Sequence, residues 1–83
     1  MIKILVSRFG EVRYELEGET KFDAISNFVT ESESDFAASV YREAEMRRDE
    51  VSPMVSDEEI GIDCFEFMAA VKGYEVSYEG SEE

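Results

Sequence analysis

The stretch that decides the fold is residues 2–18, Ile2-Lys3-Ile4-Leu5-Val6-Ser7-Arg8-Phe9-Gly10-Glu11-Val12-Arg13-Tyr14-Glu15-Leu16-Glu17-Gly18. Ile2, Ile4 and Val6 fall on one side of an extended chain, and Leu5 makes the other side partly apolar, as suits a central strand. Gly10 marks a reversal. After it Val12, Tyr14 and Leu16 alternate with Glu11, Arg13, Glu15 and Glu17, so the first set is expected inward and the second in water. Two period-two runs about a glycine predict a β-hairpin.

Downstream the period changes. Thr20 is placed to cap a first helix whose Phe22, Ile25, Phe28 and Val29 share a face. Glu31-Ser32-Glu33-Ser34-Asp35 is a polar break with serines able to cap a second helix running to about residue 50. Its expected buried stripe is Ala37, Val40, Tyr41, Ala44 and Val51, and Pro53 ends it. Ser56-Asp57-Glu58-Glu59 forms a capping box. Gly61 then offers a stop, so residues 56–72 make one helix or two, with Phe65, Met68 and Val71 on the buried face. Gly73 suits a left-handed C-cap. Tyr74, Val76 and Tyr78 alternate inward in a last strand, and 80–83 form a frayed tail. The expected fold is α+β, ββαα(α)β: a three-stranded antiparallel sheet with two or three helices on one face. All 83 residues are expected in a single domain, without repeat, low-complexity segment or dividing linker.

Composition narrows function. With 43% hydrophobic residues, six Phe and four Tyr, the chain has material for a core despite its length. There is no His and one Cys, Cys64, so a zinc site and the usual Ser or Cys nucleophile with its base lack their parts. Cys64, among Ile62, Phe65 and Phe67, is read as a small buried apolar residue, and one thiol fits a reducing cytosol. Counted as a calcium loop from Glu31, the sixth and twelfth places hold Phe36 and Arg42 where glycine and glutamate are needed. No phosphate-cradling glycine motif occurs. No enzyme, cofactor or metal is expected. No apolar run is long enough for a membrane span or a signal peptide, which leads to a cytoplasmic protein, of the cell or of an infected host.

Charge is the outstanding property. Twenty-one acidic and eight basic residues give −13. Residues 1–30 hold five acids and four bases, net −1, whereas residues 31–83 hold sixteen and four, net −12. In the second helix Glu43 can pair with Arg47, and Arg42 or Arg48 with Glu45. From Asp49 to Val71, however, Asp49, Glu50, Asp57, Glu58, Glu59, Asp63 and Glu66 meet no Lys or Arg in the sequence, and Glu31, Glu33 and Asp35 form a second such group. First-turn acids favour the helix dipole, which accounts for Asp57 to Glu59 but not the rest. These ten carboxylates are the expected partner-binding surface.

Nucleic acid and anionic membrane would be repelled, so the expected partner is a basic protein. Carboxylates about 5–6 Å apart on a helix can stand in for phosphates and block a nucleic-acid-binding protein. In size, acidity and lack of motifs the chain resembles the small acidic inhibitors that phages make against host defence, namely anti-restriction DNA mimics and anti-CRISPR proteins. That resemblance rests on no motif, and no residue is carried over from it. The competing expectations are a regulatory interaction domain with another basic partner, and a halophilic domain of other function. Monomer and homodimer are both compatible with the sequence. Met54 and Val55, beside Pro53, are a possible apolar contact or sheet-edge packing.

Overall fold

The computed structural model describes residues 1–50 and 57–80. Strands β1 (Ile2–Arg8) and β2 (Glu11–Gly18) are followed by helices α1 (Lys21–Glu31), α2 (Asp35–Glu50) and α3 (Asp57–Val71) and by strand β3 (Glu75–Gly80). The sheet order is β2-β1-β3, with β1 antiparallel to both neighbours. The expected α+β architecture is therefore present, with the strand whose both faces are partly apolar at the centre. The expectations on Val51, Pro53, Met54, Val55 and Ser56 lie outside the described residues.

Local chemistry sets most boundaries. Phe9 and Gly10 form a two-residue turn with positive φ at both positions (55° and 79°), the condition for the type I′ turn that matches strand twist. Thr20 Oγ1 accepts from the Asp23 amide at 3.1 Å and caps α1, and Ser34 Oγ accepts from the Ala37 amide at 3.2 Å and caps α2. Gly73, at φ 79°, ends α3 in a Schellman motif: Tyr74 N–H donates to the Ala69 carbonyl and Gly73 N–H to that of Ala70.

Four expectations are corrected. Val12 does not point inward; it is 51% exposed. Val6 pairs with Tyr14 but Ser7 pairs with Val12, so Arg13 is an extra residue that bulges β2 and turns Val12 to the outer face. Val71, expected on the buried face of the third helix, is 61% exposed. Of the two alternatives at Gly61 the structure has the single helix, unbroken to Val71, and a Cβ at Gly61 would stand 3.2 Å from the Phe22 ring, so the glycine lets α3 approach α1 closely. Tyr41 is 55% exposed, and the buried anchor of α2 is Phe36, with Ala37 and Val40. Gly80 is not tail but pairs with Ile2 in the sheet.

Phe36 is the hub of the core. Its ring centroid lies 5.6 Å from Tyr14, 5.7 Å from Phe28, 5.5 Å from Phe65 and 5.1 Å from Tyr74. These rings come from β2, α1, α3 and the residue leading into β3, so one side chain ties α2 to four other parts of the chain. Ile4, Val6, Leu16, Ile25, Val40, Ile60 and Cys64 complete the interior, and no polar or charged residue among those described is buried. The helices cover one face of the sheet only. The other shows Lys3, Leu5 and Ser7 down its centre, flanked by Glu15, Glu17 and Val12 on β2 and Glu75, Ser77 and Glu79 on β3.

Two substitutions test these placements with opposite signs. Phe36→Ala should cost about 3–5 kcal/mol in urea unfolding, a large part of the margin of so small a domain. Phe9→Asn should raise stability by about 0.5–1 kcal/mol, because asparagine tolerates the left-handed conformation that strains phenylalanine. A Phe36→Ala loss below about 1 kcal/mol would remove Phe36 from the centre of the core.

Candidate partner-binding surface

The ten carboxylates singled out from sequence fall into two groups. Glu31 ends α1, Glu33 lies in the connection and Asp35 opens α2, forming one corner. Asp49 and Glu50 close α2, Asp57, Glu58 and Glu59 open α3, and Asp63 and Glu66 lie further along it. Asp35 and Asp49 are fourteen residues apart, about 21 Å along the helix axis, so they stand at opposite ends of α2. Within α3, Glu59, Asp63 and Glu66 follow at four- and three-residue spacing and share the face turned away from Ile60, Cys64 and Phe65. Glu31, Glu33, Asp35, Asp49, Glu58, Glu59, Asp63 and Glu66 are exposed.

The ion pairs lie elsewhere. Lys3 reaches Glu15 at 3.7 Å and Glu17 at 3.8 Å, Arg13 reaches Glu11 at 3.4 Å, and Arg47 reaches Glu43 at 3.1 Å. The Glu43–Arg47 pair is the one expected from spacing; Glu45 has no ion pair among the described residues. Nor, among those residues, does any ion pair reach Glu31, Glu33, Asp35, Asp49, Glu58, Asp63 or Glu66. Glu66 instead accepts a hydrogen bond from the Tyr78 hydroxyl at 3.0 Å, which links α3 to β3. Lys21 sits over the same tyrosine ring, 4.5 Å from its centroid.

Structure also gathers charge that linear counting dispersed. Glu15 and Glu17 of β2 line one groove with Glu31 of α1, although the hairpin alone is nearly neutral. Leu16, Ala24, Asn27, Phe28 and Ser32 complete this groove of about 320 Å³. A second, apolar groove of about 160 Å³ lies between α1 and α2, lined by Phe22, Val29, Tyr41 and Ala44 among others. The hairpin tip shows a different character: Phe9 is 88% exposed, with the Arg8 guanidinium 5.3 Å from its ring centroid.

Reactive groups are sparse. Cys64 is fully buried, and burial pushes its thiol pKa up, away from the thiolate that nucleophilic or metal chemistry needs. Among the described residues, no cluster of three His, Cys, Asp or Glu side chains is arranged to hold a metal ion. None of their helices is long and apolar enough to cross a membrane. No family model matches the chain, and no curated protein or solved structure matches it.

Burial, followed by the hydrogen bond to the Glu66 carboxylate, raises the Tyr78 pKa above its ordinary value of 10.0; burial and the neighbouring Tyr74 raise that of Tyr14. The folded chain therefore holds these protons more tightly than the unfolded chain. Their contribution to stability is complete below pH 10 and is lost as pH climbs from there toward the folded-state pKa values. Urea midpoints on either side of pH 10 should fall with rising pH, and Tyr78→Phe should make that fall shallower. An identical pH slope in the variant would show that the Tyr78 proton is not held in this way.

Proposed function

We propose that this protein is a non-catalytic acidic inhibitor that occupies the nucleic-acid-binding surface of a basic partner, of the kind that phages direct at host defence. The observation that carries the reading is the set of exposed carboxylates for which the described part of the fold provides no cation. Surface ion pairs contribute little to stability, so fold stability does not require acids to be paired. Like charges on one helix face nevertheless have a cost: an i,i+4 pair such as Glu59 and Asp63 destabilises by about 0.2–0.5 kcal/mol. A partner rich in Lys and Arg removes that repulsion on binding and gains the Coulombic attraction as well.

A phosphate-like surface also accounts for why charge is set on helices. Rigid spacing lets carboxylates meet cations already arranged to grip a nucleic-acid backbone. A second reading, a regulatory domain whose basic partner does not handle nucleic acid, is favoured by exposed Met46, Phe67 and Val71 on α2 and α3. Apolar groups of this kind supply contact area that a phosphate mimic does not need.

The two separate by competition. Immobilised protein should capture its partner at low salt, duplex DNA or RNA should displace that partner, and affinity should fall steeply between roughly 50 and 200 mM salt. Replacing Asp49, Glu58 and Asp63 together by Lys should weaken capture at least tenfold while leaving the urea midpoint within error. Capture that survives excess nucleic acid would sink the mimic and leave the interaction domain.

A further inference from the structure

We propose that the free edge of β2 takes up an extended segment of the basic partner, with Lys or Arg at alternate positions, as a fourth strand of the sheet. This rests on the reading that the partner is basic, and adds where and in what conformation part of it binds. Among the described residues β2 pairs with β1 on one side only, so alternate N–H and C=O groups of its other edge point outward. Natural proteins blunt such edges with a bulge, a proline, a lysine or a covering element. The bulge at Arg13 disturbs only the first half. From Tyr14 to Gly18 the strand pairs regularly with Val6 to Ile2 and contains neither proline nor lysine.

This regular half borders the 320 Å³ groove, whose opposite wall is α1. A strand laid between β2 and α1 would meet Leu16 and Phe28, with Glu15 and Glu17 along the strand wall and Glu31 at the helix end. The last turn of α1 contains no basic residue, so the partial negative charge of its C-terminus adds to Glu31. Lys3 does not close the site. Its contacts with Glu15 and Glu17, at 3.7 and 3.8 Å, are exposed and weak, and leave both carboxylates able to take a second cation. Main-chain pairing with the edge supplies affinity, and alternate cationic side chains supply selectivity.

The test uses the full chain and two synthetic peptides. One alternates Lys and Val over ten residues; the other has the same sequence with alternate backbone amides N-methylated, which keeps the charge but removes edge pairing. The unmodified peptide should bind at low salt and slow amide exchange across residues 14–18. The methylated peptide should bind at least about tenfold more weakly, as loss of two or three hydrogen bonds implies. Replacing Glu15, Glu17 and Glu31 together by Gln should lose about the same factor, whereas Glu75→Gln with Glu79→Gln, on the far strand of the sheet, should change binding less than twofold. Equal binding of both peptides, with shifts confined to α2 and α3, overturns edge pairing and leaves the acidic-surface reading intact. Failure of both peptides to bind at low salt overturns that reading too.

Discussion

The structure depends on the packing of Phe36 against four aromatic rings. Each ring it touches belongs to a different part of the chain, and centroid separations of 5.1–5.7 Å at tilted angles are within the favourable range for aromatic pairs. A domain of this length hides only about 60–65% of its unfolded surface, so contacts that join several elements at once matter more than in a larger protein. Phe36 occupies the first turn of α2, directly after the Ser34 cap. Capping, helix direction and ring position are thereby coupled, and α2 cannot shift along its axis without emptying the space between sheet and α3.

That packing also determines where charge can go. The interior described is wholly apolar, so the described carboxylates lie on the outer sheet face, on helix surfaces or in connections. At about 10 Å in water two unit charges repel by only about 0.4 kcal/mol before screening, so a folded chain tolerates −13. The repulsion is nonetheless shared by the whole surface. A bound polycation would relieve it and raise apparent stability by mass action, which makes folding and binding mutually supportive here.

Much of this was legible in the sequence because it is written locally. The hairpin follows from alternation about Gly10, the first two helices from Thr20 and Ser34, and the end of the third from Gly73. What was not legible depends on strand pairing or on contacts across the fold. One extra residue at Arg13 reverses the faces upstream of it, and nothing in the pattern Glu11-Val12-Arg13-Tyr14 announces the slip. Phe36, four residues before Val40 and eight before Ala44, fits the buried stripe of α2, but spacing alone does not separate it from Tyr41, which stands on the stripe's other border. Gly61 looks like a stop in one dimension and is a contact with Phe22 in three. The carboxylate groups were visible as composition, but the groove that joins Glu31 to Glu15 and Glu17 exists only once α1 has folded beneath β2.

The charges on β2 also govern what its edge does not pair with. Two copies meeting edge to edge about a two-fold axis bring residue i of one opposite residue j of the other, with i and j summing to a constant. In the register centred on Leu16, the one that aligns both regular halves, Glu15 faces the partner's Glu17 and Glu17 faces the partner's Glu15. Like charges directly opposite are destabilising in a sheet, and twice over here. Lys3 lies behind the strand on β1 and cannot stand between the two edges. An open edge that would otherwise invite self-association is thus closed to its own kind, and the same carboxylates leave it open to a strand that brings cations.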